Sequence, residues 1–102
     1  MTLTIVYTTF ENRKSAEKII SDLVRKKLAG CVNLFPVEGI YLWNNKLQKE
    51  KEVAAIIKTS NKAWPKLKKY LEKNHPYDIP CILKFSAESN KIFESWTNKQ
   101  VK

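Results

Sequence analysis

The side chains best suited to chemistry gather in Lys73–Cys81, KNHPYDIPC, which holds the only histidine of the chain, two of its four prolines and one of its two cysteines. His75 is the candidate metal ligand. A neutral imidazole binds copper, zinc or nickel, but a site of useful affinity needs two or more further ligands. With no second histidine these must be Cys, Asp or Glu, from this chain or from another subunit. The competing reading is a structural histidine at a helix end. A second constellation is Tyr41, Trp43, Lys58 and Tyr77. Alternation puts Tyr41 and Trp43 on one face of a strand, and Lys58 must reach solvent, a carboxylate or an anionic ligand. Together these four would line a cleft containing His75, binding a small ligand. Ordinary aromatic packing between subunits accounts for them equally well.

Other chemistries lack their signatures. Ser60, Ser86, Ser89 and Ser95 have no GxSxG context, and Cys31 and Cys81 lie fifty residues apart without a CxxC. Two glycines cannot build a phosphate-cradling loop. Nothing requires an enzyme. The net charge of +9, from 17 Lys and 2 Arg against 10 acids, brings polyanions into consideration. Scarce Arg, dispersed Lys and no RNP1-like segment argue against nucleic acid as the partner. No apolar run is long enough for a bilayer, and MTLTIVYTTF lacks the basic and small-residue features of a signal peptide. The expected location is the cytoplasm, with both cysteines reduced and no membrane partner.

The elements that must position these residues follow from periodicity. At 102 residues the chain forms one domain, residues 1–102. Leu3, Ile5 and Tyr7 alternate with threonines as a first strand. Ala16, Ile19, Ile20, Leu23, Val24 and Leu28 then mark one helix face, with Asn12 as N-cap and Gly30 as the positive-φ stop. Cys31 to Ser60 form two long strands whose tip is Asn44-Asn45-Lys46, and Pro36 and Gly39 predict a bulge or bend in an edge strand. Lys49–Glu52 is expected to be a solvated part of this projecting hairpin. Ser60 or Asn61 caps a second helix, with Pro65 in its first turn and Pro76 forcing its end by Asn74. CILKFSA is a fourth strand. A short terminal helix should carry Ile92, Phe93 and Trp96 inward.

The order β-α-β-β-α-β plus a C-terminal helix defines an α+β, ferredoxin-like sandwich with strand order 4-1-3-2. Its edges are the second and fourth strands. Cys31 and Cys81 then open opposite edges, roughly 14 Å apart and too far for a disulfide within one chain. If the second strand of one subunit pairs with the fourth strand of the next, the contact must close as a ring, and a homotrimer is the preferred closure.

The segments IVYTTF, KKLAGCVNLFPV, IYLWNNKLQKEKEVAAIIKT, HPYDIP and ESW stand in the order and spacing of the CutA family of divalent-cation-tolerance proteins, which the chain resembles over nearly its whole length. The resemblance implies the ferredoxin-like fold, a cytoplasmic homotrimer built by strand pairing, kinship with PII-type signalling trimers and a link to copper tolerance. It carries the family's metal-ligand role to His75. Where some bacterial relatives have a second histidine and a cysteine, this chain has Asn74 and Thr8, so the ligands that favour copper are missing. Asn45 replaces a common glycine at the tip, and Leu42 stands where an aromatic is frequent. The expected function is divalent-cation tolerance through weak binding of a metal (Cu or Zn) or small ligand at an intersubunit cleft. The rival is a signalling or scaffold trimer with no metal role.

Overall fold

The computed structural model describes residues 2–102. Its elements are β1 (Thr2–Phe10), α1 (Arg13–Arg25), β2 (Cys31–Trp43), β3 (Lys46–Thr59), α2 (Trp64–Asn74), β4 (Leu83–Glu88) and α3 (Lys91–Gln100). They build one antiparallel sheet in the order β2-β3-β1-β4. This is the expected ferredoxin-like order, with β2 and β4 at the edges.

Alternation divides the sheet into two unlike faces. Val6 and Phe10 of β1 with Ala55 and Ile57 of β3 turn toward the helices. There they form the core with Ala16, Ile20 and Leu23 of α1 and Leu67 and Leu71 of α2. Removing these side chains from water at about 25 cal/mol per Å² is the main force holding both helices on the sheet. The other face carries Tyr7, Thr9, Ile56 and the directly paired Leu83 of β4. No helix of the core cluster covers it, and Leu83 and Phe85 are exposed there.

Helix termini are set by local chemistry. The Asn12 side chain accepts the Ser15 N–H at 2.8 Å, the capping bond expected from its type. At the other end, Lys27 N–H bonds Val24 C=O and Leu28 N–H bonds Leu23 C=O, a Schellman pair. The left-handed residue of that motif is Lys27 at φ 61°, and Gly30 has no positive φ. Gly30 is required for another reason. A Cβ there would lie 2.9 Å from Thr97 Cγ2, so the glycine lets α3 approach the start of β2. Ser60, rather than Asn61, supplies the hydroxyl ahead of α2, accepting the Ala63 N–H at 3.2 Å.

Three further expectations need correction. First, β2 pairs with β3 without interruption from Cys31↔Lys58 to Trp43↔Lys46, so neither Pro36 nor Gly39 makes a bulge. The missing Pro36 donor is tolerated on an edge strand. Asn44 and Asn45, at φ 53° and 62°, form the two-residue tip, an arrangement that favours asparagine and glycine. Second, β4 starts at Leu83, two residues later than Cys81. Third, α3 turns Glu94 and Thr97 inward, leaving Ile92 83% and Trp96 44% exposed. Thr97 is the side chain small enough to sit against Gly30, and it rotates the apolar stripe outward.

The Asn12 cap generates a direct test. Asn12→Ala is expected to lower stability to urea by about 1 kcal/mol, and Asn12→Ser to keep most of it. Equal midpoints for the three proteins would show that α1 does not depend on its cap.

Candidate functional site

Because β4 pairs only with residues 2–7 of β1, Thr8–Phe10 have no strand partner on that side. His75 fills the gap. Pro76 keeps His75 extended at the C-cap of α2. From there its Nε2 meets the Thr9 carbonyl at 2.8 Å, and its Nδ1 accepts the Tyr77 N–H at 3.1 Å. The second contact requires an unprotonated Nδ1, so Nε2–H is the donor to Thr9. The ring stacks on the buried Phe10 at 4.8 Å and 8°, and tilts against Tyr77 at 4.9 Å. Burial lowers the His75 pKa, and the Thr9 carbonyl opposes that only in part.

The loop that His75 pins, Pro76–Cys81, is one wall of a cavity of about 720 Å³. The opposite wall is the exposed face of the hairpin, where alternation lines up Tyr41 and Trp43 of β2 with Gln48, Glu50 and Glu52 of β3. Thr9 forms part of the floor, and Asp78, Ile79 and Cys81 complete the loop side. Two tyrosine–glutamate pairs order the site. Tyr77 OH donates to Glu52 Oε1 at 2.9 Å. Tyr41 lies beside Glu50 on the same face, and interaction with Glu50 is the main reason its phenol pKa is raised. The Tyr77 phenol is pushed far above its ordinary value by burial first and Glu52 second. Burial, then Glu52, also raises the Cys81 thiol. A Cβ on Gly39 would lie 2.7 Å from Glu52 Oε2, so the glycine provides the space this carboxylate occupies.

The structure places Tyr41, Trp43 and Tyr77 on the lining of one cavity, and Lys58 stands apart. Its ammonium donates to Asn33 Oδ1 on the neighbouring edge strand, and it does not line the cavity. His75 supports the wall from behind and is absent from the lining. Glu50, Glu52 and Gln48 were missed because Lys49–Glu52 reads as a solvated charge run. The signal was available: even-numbered residues of β3 share the face of odd-numbered residues of β2.

The residues around His75 do not fit a resident copper or zinc ion. Both ring nitrogens are engaged, and Thr8 is fully buried with a hydroxyl that finds no partner. Among the described residues no three His, Cys, Asp or Glu side chains converge to hold a metal. Both cysteines are free, Cys81 exposed beside the cavity and Cys31 half-buried at the start of β2.

A four-stranded antiparallel sheet covered by helices, with a projecting hairpin and an aromatic, carboxylate-lined cavity at its base, places the chain in the class of small α+β ferredoxin-like proteins. Residues 4–100 match the family model described as CutA1 divalent ion tolerance protein, and the chain belongs to that family. It is 37% identical to the divalent-cation tolerance protein CutA of Pyrococcus horikoshii, covering 96% of this chain and 97% of that one. A crystal structure of the Pyrococcus protein superposes with a TM-score of 0.94 at 37% identity, over 97% of this chain and 99% of that chain. The Archaeoglobus fulgidus protein, described as a periplasmic divalent cation tolerance protein, gives a TM-score of 0.91 at 32% identity over the full length of both chains. The PII-like protein CutA from Nostoc gives 0.90 at 26% identity over 97% of each chain.

The His75 contacts make stability pH-dependent. Its folded-state pKa is lowered, so the unfolded chain binds the proton more readily, and stability must fall as pH drops through about 6.5 toward the folded value. Above that window the contribution is complete. Urea midpoints measured across it should decline on acidification in the wild type, with this component absent from His75→Gln. An identical pH profile in both proteins would assign the acid sensitivity elsewhere.

Proposed function

We propose that the protein acts in divalent-cation tolerance as a cytoplasmic homotrimeric binding module whose ligand occupies the Tyr41–Trp43–Tyr77 cavity. The observation that carries this reading is the cavity itself, an aromatic recess between a projecting hairpin and a pinned loop. A neighbouring subunit completes it. Support for assembly comes from the hairpin, which exposes Ile40, Leu42 and Leu47 on its second face, and from Leu83 and Phe85 on the open sheet face. Isolated exposed apolar residues are ordinary, but clusters such as Ile40, Leu42 and Leu47 on one face mark an interaction surface. The two sheet edges, β2 and β4, supply unpaired backbone groups for strand addition between subunits. The two free cysteines suit a reducing compartment, and no helix among the described residues is long and apolar enough to cross a membrane.

Within this reading His75 shapes the site by holding its wall. Cu²⁺ and Zn²⁺ bind weakly, at the cavity carboxylates, because neither imidazole nitrogen is free. A second reading, a signalling trimer without a metal role, draws support from the similarity to the PII-like protein CutA of Nostoc. Dependence of the trimer's ligand response on metal separates the two.

Light scattering at micromolar concentration should give three times the chain mass of 11.9 kDa. A monomer would overturn the assembly. Titration of metal-stripped protein with Cu²⁺ and Zn²⁺ should yield the same weak affinity for the wild type and His75→Gln. A tenfold or larger loss in the variant would restore His75 as a ligand.

A further inference from the structure

The cavity is chemically unlike the rest of the molecule. The chain carries 17 lysines and a net charge of +9, yet no lysine or arginine lines this recess. Glu50, Glu52 and Asp78 do, beside the rings of Tyr41, Trp43 and Tyr77. Alternation explains the segregation. Lys49 and Lys51 interleave with the two glutamates and point to the opposite face of β3, so one face of a Lys-Glu-Lys-Glu run is left acidic. Elsewhere on the hairpin the directly opposed pairs include Glu38↔Lys51, where opposite charges meet on the other face. Glu50 faces Gly39 and Glu52 faces Val37, so neither meets a cation across the strands.

Two carboxylates two residues apart on one strand face are held about 7 Å from each other at their backbones. Neither forms a salt bridge within the chain, since the ion pairs among the described residues are Arg13–Glu17 and Lys26–Asp22. Tyr77 OH donates to Glu52 Oε1, and Tyr41 and Glu50 lie together along the same cavity wall. Gly39 leaves open the space that Glu52 uses. The result is a preorganised negative site with aromatic faces.

Cations divide into two kinds at such a site. A small divalent ion requires several oxygens converging on one point, and no such convergence exists among the described residues. An organic ammonium is weakly hydrated, is attracted to the faces of Trp and Tyr, and accepts carboxylates spread over several ångströms. The geometry points to an aliphatic amine, in particular a diamine or polyamine, as the ligand class of the Tyr41–Trp43–Tyr77 cavity, with Glu50 and Glu52 taking its ammonium groups and Trp43 packing on its methylenes. This rests on the reading of the cavity as the ligand site and specifies its chemistry. A volume of about 720 Å³ accommodates a chain of this kind with room for water.

Putrescine and spermidine, titrated into the intact protein and followed by Trp fluorescence and by calorimetry at fixed ionic strength, test the assignment. Both should bind saturably, spermidine more tightly. Glu50→Gln/Glu52→Gln should weaken binding at least tenfold, and Trp43→Leu several-fold, while Lys49→Gln/Lys51→Gln leaves it unchanged. Mg²⁺ at matched charge should compete poorly. Light scattering of each variant, run in parallel, monitors the assembly. If the amines do not bind while succinate or glutamate quenches Trp43 saturably, the cavity is a ligand site and the amine assignment is overturned. If none of these molecules perturbs Trp43 in a protein that scatters as a trimer, the cavity reading falls together with the amine. Binding that persists undiminished in Glu50→Gln/Glu52→Gln places the amine elsewhere and overturns the proposal.

Discussion

The contact on which the cavity-bearing face depends is the bridge made by His75. Its ring ties the uncovered end of β1, through the Thr9 carbonyl, to the loop after α2, through the Tyr77 amide, and seats both on Phe10 in the core. Each hydrogen bond of this kind adds about 1 kcal/mol net, and leaving a buried partner unpaired costs more. The pairing specifies the tautomer and holds Tyr77 where its phenol reaches Glu52. A local interaction of the core therefore sets the width of an outer cavity. A histidine at this place is informative because of what its two nitrogens already hold, which is why its chemistry as a ligand and its role as a strut exclude one another in a single conformation.

Much of the architecture was legible in the residues. The period of 3.6 in α1, the Asn12 cap, the Asn-Asn tip and the proline pair around α2 each act within a few positions, and each is where local chemistry predicts it. The misreadings share a cause. Gly30 reads as a helix stop, yet Lys27 takes the left-handed position and Gly30 is needed for Thr97, a residue 67 positions away. Gly39 reads as a bulge, yet it makes room for Glu52 on the neighbouring strand. Both glycines answer to partners that only the folded chain brings close. The candidate site was half legible for the same reason. The grouping of Tyr41 and Trp43 with Tyr77 was legible, whereas adding Glu50 and Glu52 to it, and removing Lys58 from it, required the strand register and the folded contacts.

Charge follows the same two-faced plan. From Lys62 to Lys73 the second helical segment carries five lysines against one acid, all on the layer that covers the sheet. The opposite side of the hairpin concentrates glutamates. A protein of high net charge can thus present a local potential of the other sign, because interactions between exposed charges fade beyond roughly 10 Å at moderate ionic strength. Net charge describes how such a molecule behaves toward polyanions in bulk. It does not describe the local potential inside a recess.

The outward apolar stripe of α3 extends this logic to assembly. Phe93 and Trp96 stack at 5.9 Å, and Ile92 stands almost wholly in water. The helix reaches this orientation because Gly30 and Thr97 lock it from below, and because Lys102 N–H is bonded to the Lys27 carbonyl at 3.0 Å. Those contacts orient the helix with Glu94 and Thr97 inward and Ile92 and Trp96 outward. An element held rigidly with its apolar side outward keeps its surface ready for a partner, and little ordering entropy remains to oppose the association. The packing that frustrates burial of these rings within the chain is thus the packing that leaves them on its surface.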